Sequence, residues 1–195
     1  MSSRSLTITV VALLVAALAL GGYVLHLKHR AEQSAAPAAG VTRAISEPVA
    51  GAPAQVTLFE ASDKDGVLYP RTATIPLPEE RGRRARDILR ALVAQYQQGG
   101  SQHPLAPAAE VVAVYLVNDN LAIVDVSAGF AEGHCSGILV EELTLASMAK
   151  TLAANLPGIT RMKLLVEGQE RATLSGHADL IEPYDVTAAD ALVKQ

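Results

Sequence analysis

Residues 110–126, EVVAVYLVNDNLAIVDV, hold two runs rich in Val, Ile and Leu on either side of Asn118-Asp119-Asn120. Branched aliphatic residues suit a pleated, half-buried surface, and Asn and Asp tolerate the left-handed backbone of a tight turn. The stretch therefore reads as a β-hairpin, Glu110 to Val117 against Leu121 to Val126. Before it, Arg83 to Gln98 places Ala85, Ile88, Leu89, Leu92, Val93 and Tyr96 at helical spacing and stops at Gly99-Gly100. After it, Ile138 to Asn155 presents Leu139, Leu143, Ala146, Ala149 and Leu152, widened by Leu145 and Met148, and Pro157-Gly158 ends this second helix. Arg161 to Glu167 alternates, with Met162, Leu164 and Val166 on one side, and reads as a half-buried strand closed by Gly168.

Upstream, Val56 to Ala61 is a first strand, and Asp63-Lys64-Asp65-Gly66 is the turn after it. Leu68 to Pro78 is punctuated by proline, which suits an edge because proline cannot donate to a ladder. Thr187-Ala188-Ala189-Asp190 resembles a capping box, so residues 186–195 are expected to form a short C-terminal helix or tail. The order strand, helix, hairpin, helix, strand predicts an α+β domain over residues 56–185. Its expected architecture is a two-layer α/β sandwich with two main helices on one face of a mixed sheet and the other face free.

The chain ahead of this domain is of another kind. Leu6 to Leu27 runs almost without a charge, and 22 helical residues span roughly 33 Å, slightly more than a hydrocarbon core of about 30 Å. Only Arg4 precedes this run, which is longer than the apolar core of a cleavable signal, so residues 1–30 read as an uncleaved signal anchor with a transmembrane helix over 6–27. Residues 31–55 are rich in Ala and Pro and read as a flexible linker with a mean span of roughly 25 to 30 Å. Lys28 and Arg30 outnumber Arg4 and argue for an inverted anchor. Long domains translocate largely regardless of such charges, and the expected topology leaves the domain outside the cytoplasmic membrane, facing the periplasm or cell exterior.

Composition narrows the partners. A net charge of −4, two Phe, five Tyr and no Trp offer neither the basic footprint nor the stacking platforms of a nucleic-acid binder. Cys135 is the single cysteine, so no intramolecular disulfide and no thiolate-rich zinc site can form, and it is expected to be buried as a small apolar residue.

Four pieces of the chain carry a family resemblance. They are Leu58 to Arg71 with its Asp-x-Asp-Gly-x-Leu-Tyr-Pro turn; Val124-Asp125-Val126-Ser127 leading to Phe130; Glu141-Glu142-Leu143 through Ser147 to Thr151-Leu152; and Pro157-Gly158-Ile159 through Leu165-Val166-Glu167-Gly168 to Thr173-Leu174-x-Gly176-His177-x-Asp179-Leu180. In order and spacing, over roughly Val56 to Pro183, they resemble the GerMN domain family of sporulation and spore germination. The resemblance implies a non-enzymatic α/β domain, similar to the ring-building modules of secretion systems, displayed outside the cytoplasmic membrane. It implies no catalytic residues.

Several residues invite chemistry. His177 and Asp179 are two apart and in a strand would share a face, where a carboxylate orients an imidazole for catalysis or metal binding. The competing reading is a structural hydrogen bond that fixes a last strand after Gly176. His134-Cys135 is a potential nucleophile pair, but adjacent side chains point apart. Asp63 and Asp65 begin a calcium-loop pattern that fails at Val67 and Thr74, where further oxygen ligands belong. No Gly-x-Ser-x-Gly or His-Glu-x-x-His is present, so no enzyme, cofactor or metal site is expected.

Arg81, Arg83, Arg84, Arg86 and Arg90 crowd a helix start, where the helix dipole disfavours cations, and are the candidate partner surface. The expected function is a membrane-tethered, extracytoplasmic interaction domain supporting assembly of a cell-envelope protein complex. Its partners are the bilayer through residues 6–27 and an envelope protein or a second copy of the chain, with no nucleic acid. The alternative is an envelope ligand-binding or hydrolytic domain using His177 and Asp179, or His134 and Cys135.

Overall fold

β1 (Pro53–Ser62) and β2 (Val67–Pro76) form an antiparallel ribbon in continuous register, with Val56 opposite Ala73 and Ala61 opposite Leu68. This computed structural model describes residues 51–194; the proposed span at 6–27 and linker residues 31–50 lie outside them. No helix among the described residues is long and apolar enough to cross a membrane. The ribbon closes through the expected turn, where the Gly66 N–H donates to Ser62 O at 2.8 Å.

α1 (Arg81–Tyr96) buries Ala85, Ile88, Leu89, Leu92, Val93 and Tyr96, the stripe read from its periodicity. Its first turn is capped by Glu80, whose carboxylate accepts from the Arg83 and Gly82 N–H groups at 2.8 and 2.6 Å. Those two bonds hold the Glu80 carboxyl below its ordinary range, the Arg83 bond contributing most.

β3 (Val111–Val117) and β4 (Leu121–Val126) make the predicted hairpin, and Asn118 and Asp119 take the left-handed φ values of 50° and 57°. α2 (Ala128–Glu132), too short to show a period, and α3 (Ile138–Asn155) then carry the chain to β5 (Arg161–Val166), which runs parallel to β4. β6 (Tyr184–Asp185) adds an antiparallel edge, giving a mixed sheet of order β3-β4-β5-β6. Ala122, Val124, Val126, Met162 and Leu164 join the apolar residues of α1 and α3, with Phe130 and Leu174, in one core.

The structure corrects three expectations. The first strand does not join the mixed sheet; β1 and β2 stand apart as a ribbon packed on α3. The C-terminal element is a 3₁₀ helix, Val186–Leu192, whose cap is Asp185; Thr187 is not the cap but donates to Asp185 from its N–H and its hydroxyl. An Asp two residues earlier offers an ionised acceptor and so outcompetes the Thr hydroxyl for the orphan N–H. Cys135 is exposed rather than buried, because it lies in the loop between α2 and α3.

Candidate functional site

α3 is buried around most of its circumference, and its polar residues follow the helix period. Glu141, Thr144, Ser147, Thr151 and Asn155 fall three or four positions apart and line one side. The lower half of this stripe explains why β1 stands apart. On the edge of β1 not used by β2, the Thr57 N–H donates to Asn155 Oδ1 at 3.0 Å and the Phe59 N–H to Thr151 Oγ1 at 2.9 Å. The Ala61 N–H donates to the Tyr96 hydroxyl at 2.9 Å, and that hydroxyl also meets Ser147 Oγ at 2.5 Å. Asn155 Nδ2 returns a bond to Thr57 O at 2.7 Å. From Thr57 to Ala61 every second N–H of β1 thus finds a side chain in place of a strand, and burial pushes the Tyr96 phenol far above its ordinary range.

The upper half holds two clusters. In the first, the Glu141 carboxylate is 0 % exposed. Its Oε2 accepts from the Ser175, His177 and Ala178 N–H groups at 3.0, 3.0 and 2.9 Å, and its Oε1 from the Gly137 N–H at 3.2 Å. His177 Nδ1 lies 3.0 Å from Oε1. Burial alone would raise this carboxyl, but the bonds from Ser175, Ala178 and His177 outweigh it and hold the group at about 2. Glu141 therefore pins the loop 175–178 to the start of α3.

His177 does not act with Asp179. Asp179 Oδ1 accepts from the Ile181 N–H at 2.7 Å, and the segment forms bends with a single bridge, Thr173 to Asp179, rather than the strand that would align the pair. Ser136 Oγ sits 3.3 Å from His177 Nδ1, so Ser136, His177 and Glu141 superficially resemble a hydrolytic triad. A relay needs the nucleophile and the carboxylate on opposite ring nitrogens. Here both meet Nδ1, and no proton can pass from one to the other through the ring.

In the second cluster His103, 1 % exposed, places Nδ1 2.5 Å from Asp63 Oδ1 and Nε2 2.8 Å from Thr144 Oγ1. His134 meets the same hydroxyl through Nε2 at 2.7 Å and donates from Nδ1 to Cys135 O at 2.7 Å. Both nitrogens of His134 are thus committed away from the Cys135 thiol, and the proposed nucleophile pair is not assembled. Burial pushes the His134 imidazole below its ordinary value. Asp65, the other acid of the calcium-loop reading, accepts from Ser62 and Tyr69 at 2.9 and 3.1 Å, and the Ser62 bond most strongly lowers its carboxyl.

The arginines of α1 lie off its apolar stripe. Arg81 pairs with Asp119 at 2.8 Å, Arg83 with Glu80 at 3.6 Å, Arg86 with Asp87 at 2.9 Å and Arg90 with Glu110 at 2.7 Å. Arg84 makes no ion pair among the described residues and lines a cleft with Glu79, Leu77, Pro78 and residues 51–54. A separate polar cleft of about 300 Å³ lies over the C-terminal end of β1, between Glu60, Asp65, Tyr69, Arg71, Gln95 and Gln102. Neither His177 nor His103 lines it, although Tyr96, whose ring packs edge-on against His103, does.

Sequence reasoning located His177 and His134 but not their partners. The missed signal is the polar period inside the second helix: charged and hydroxylic residues at helical spacing in an otherwise apolar segment mark bonds to elements far away in the chain.

The architecture defines a mixed α+β module in which one nearly encircled helix braces a β-ribbon and a C-terminal loop. The chain belongs to the Germane family, described as sporulation and spore germination, whose model matches residues 57–172. Its GerMN-like fold is similar to the tandem GerMN domains of the sporulation protein GerM from Bacillus subtilis, with a TM-score of 0.52 and 23 % identity over 67 % of this chain and 45 % of that one. The first GerMN domain of the same protein matches with a TM-score of 0.49 and 20 % identity, over 69 % of this chain and 98 % of that one. The chain thus spans less than half of the tandem protein it resembles. No curated protein sequence matches it.

Proposed function

We propose that this chain is a membrane-tethered, extracytoplasmic interaction domain that performs no catalysis and supports assembly of a cell-envelope protein complex. One observation carries the reading: among the described residues every buried side-chain nitrogen and oxygen has a partner within the fold, so the ionisable groups are spent on architecture. The surface, in contrast, offers recognition groups. Arg84 makes no ion pair among the described residues, and Arg81, Arg83 and Arg90 sit in exposed ion pairs worth at most about 1 kcal/mol each, which a partner carboxylate or phosphate readily exchanges. Tyr115 on the edge strand β3 is 58 % exposed, and Ile138 at the start of α3 is 75 % exposed. The apolar run at residues 6–27 supports the tether.

The test is cross-linking in intact cells from photoreactive residues at Arg84, Tyr115 and Ile138 of the full chain, alongside a variant with Arg83, Arg84 and Arg86 replaced by Glu. An adduct with an envelope protein or a second copy is expected, reduced by the arginine variant and weakened by salt. A C-terminal alkaline phosphatase fusion should be active. An inactive fusion, or three positions that capture nothing, overturns the proposal. A second reading, binding of a small polar envelope ligand, is favoured by the cleft at Glu60, Asp65, Tyr69 and Arg71, whose charged and amide groups converge on one space. Capture of a partner unaffected by Tyr69→Ala and Arg71→Ala separates the two.

A further inference from the structure

The contacts from Asp63 through His103, Thr144 and His134 to Cys135 O form an unbroken line of four short hydrogen bonds. Each bond requires one proton between its heavy atoms. An ionised Asp63, two neutral imidazoles and one hydroxyl bring only three, because each neutral ring and the hydroxyl supply one apiece. With three, two lone pairs face each other somewhere in the line, at 2.8 Å or less. The Thr144 hydroxyl also points at Val140 O at 3.1 Å, and spending its proton there raises the deficit to two. Exchanging a proton between Asp63 and His103 changes nothing in the count.

We propose that Asp63, His103, Thr144 and His134 form a built site for one additional proton, which ties the turn 63–66 and the loop carrying His103 to α3 in a pH-dependent manner. The proton resides on His103, whose ring is buried and lies 2.5 Å from the Asp63 carboxylate. His134 stays neutral with its proton on Nδ1, where only the Cys135 carbonyl can accept it, and Thr144 donates to its Nε2. The surrounding elements are consistent with one positive charge and no more. Asp63 faces it from the turn after β1, the edge-on Tyr96 ring from α1 at 4.7 Å, and the His134 ring from the loop after α2 at 6.1 Å. From α3, Glu141 adds an attraction for charge at His134, which burial and the neighbouring His103 oppose.

The sign follows from linkage. A proton held by the folded chain and released on unfolding above a free-histidine value of about 6.5 makes stability fall as pH rises. The folding equilibrium then loses up to about tenfold per pH unit through the step. The site is tested on the full, ¹⁵N-labelled chain in detergent by long-range ¹H–¹⁵N NMR of the imidazoles at pH 7, with His26, His29 and His177 assigned by single substitutions. His103 should show two protonated nitrogens and His134 a protonated Nδ1 with a bare Nε2. Two neutral rings, or His134 protonated on Nε2 alone, overturns the proposal. Asp63→Asn keeps an acceptor at Oδ1 without its charge, so the alkaline loss of stability should move to lower pH; a step unmoved in the folded variant also overturns it. If that variant does not fold, the spectrum of the unsubstituted chain decides.

Discussion

Replacing Glu141 by Gln is the most informative single perturbation of the fold. The wild-type carboxylate accepts three N–H groups from the loop 175–178 at one oxygen and the Gly137 N–H and the His177 ring at the other. A carboxamide keeps one acceptor oxygen and aims an NH₂ at the remaining donors. The magnitude follows from how far the fold lowers this carboxyl. A carboxyl held at about 2 in the fold against 4.5 in the unfolded chain corresponds to about 3 kcal/mol, at 1.36 kcal/mol for each tenfold change in proton affinity. Bond by bond the figure is similar, since a stranded Gly137 N–H costs about 1 to 3 kcal/mol and three bonds lose charge assistance. Because the folded value lies below the unfolded one, this stabilisation is fully present above about pH 4.5 and lost as pH falls toward 2. Urea unfolding of the full chain, followed by circular dichroism, should show Glu141→Gln weaker by about 3 kcal/mol at pH 7, with the gap closing between pH 5 and pH 2. A gap under about 0.5 kcal/mol at pH 7, within the usual range of neutral substitutions, refutes the reasoning, and so does one that persists unchanged in acid.

Three further outcomes follow. Asn155→Leu leaves the Thr57 N–H and C=O without their side-chain partners and should cost about 2 to 4 kcal/mol in the same unfolding assay, whereas a cost near zero would show that water replaces the amide at this edge. Gly158→Ala should lower the melting temperature although no side chain is removed, because φ is +100° and the new Cβ would lie 2.8 Å from Asp119 O at the hairpin tip. Cys135, exposed in the α2–α3 loop, should react with a maleimide in the folded chain as fast as in urea, and Cys135→Ser should leave stability within about 0.5 kcal/mol.

What the sequence reveals and what it hides divide along one physical line. Local patterns were legible: the α1 stripe, the left-handed Asn118-Asp119 turn and the alternation of β5 each depend on residues a few positions apart. The separation of the β-ribbon from the mixed sheet was not, because it depends on Thr151 and Asn155 meeting N–H groups more than ninety residues earlier in the chain. Apolar periodicity says that a helix is buried without saying what its polar residues meet. The same blindness offered Asp179, two residues away, as the candidate partner of His177, when the carboxylate it meets is Glu141, 36 residues back on α3. A motif reading supplies a carboxylate near a histidine, and the fold supplies a different one. This substitution changes the inference, since a carboxylate already accepting four backbone N–H groups acts as a structural anchor, and its imidazole shares one nitrogen with the nearby serine. His177 and His134, which looked reactive in the sequence, thus join elements far apart in the chain through Glu141 and Thr144, and the proposed function accordingly seeks its partner at the surface.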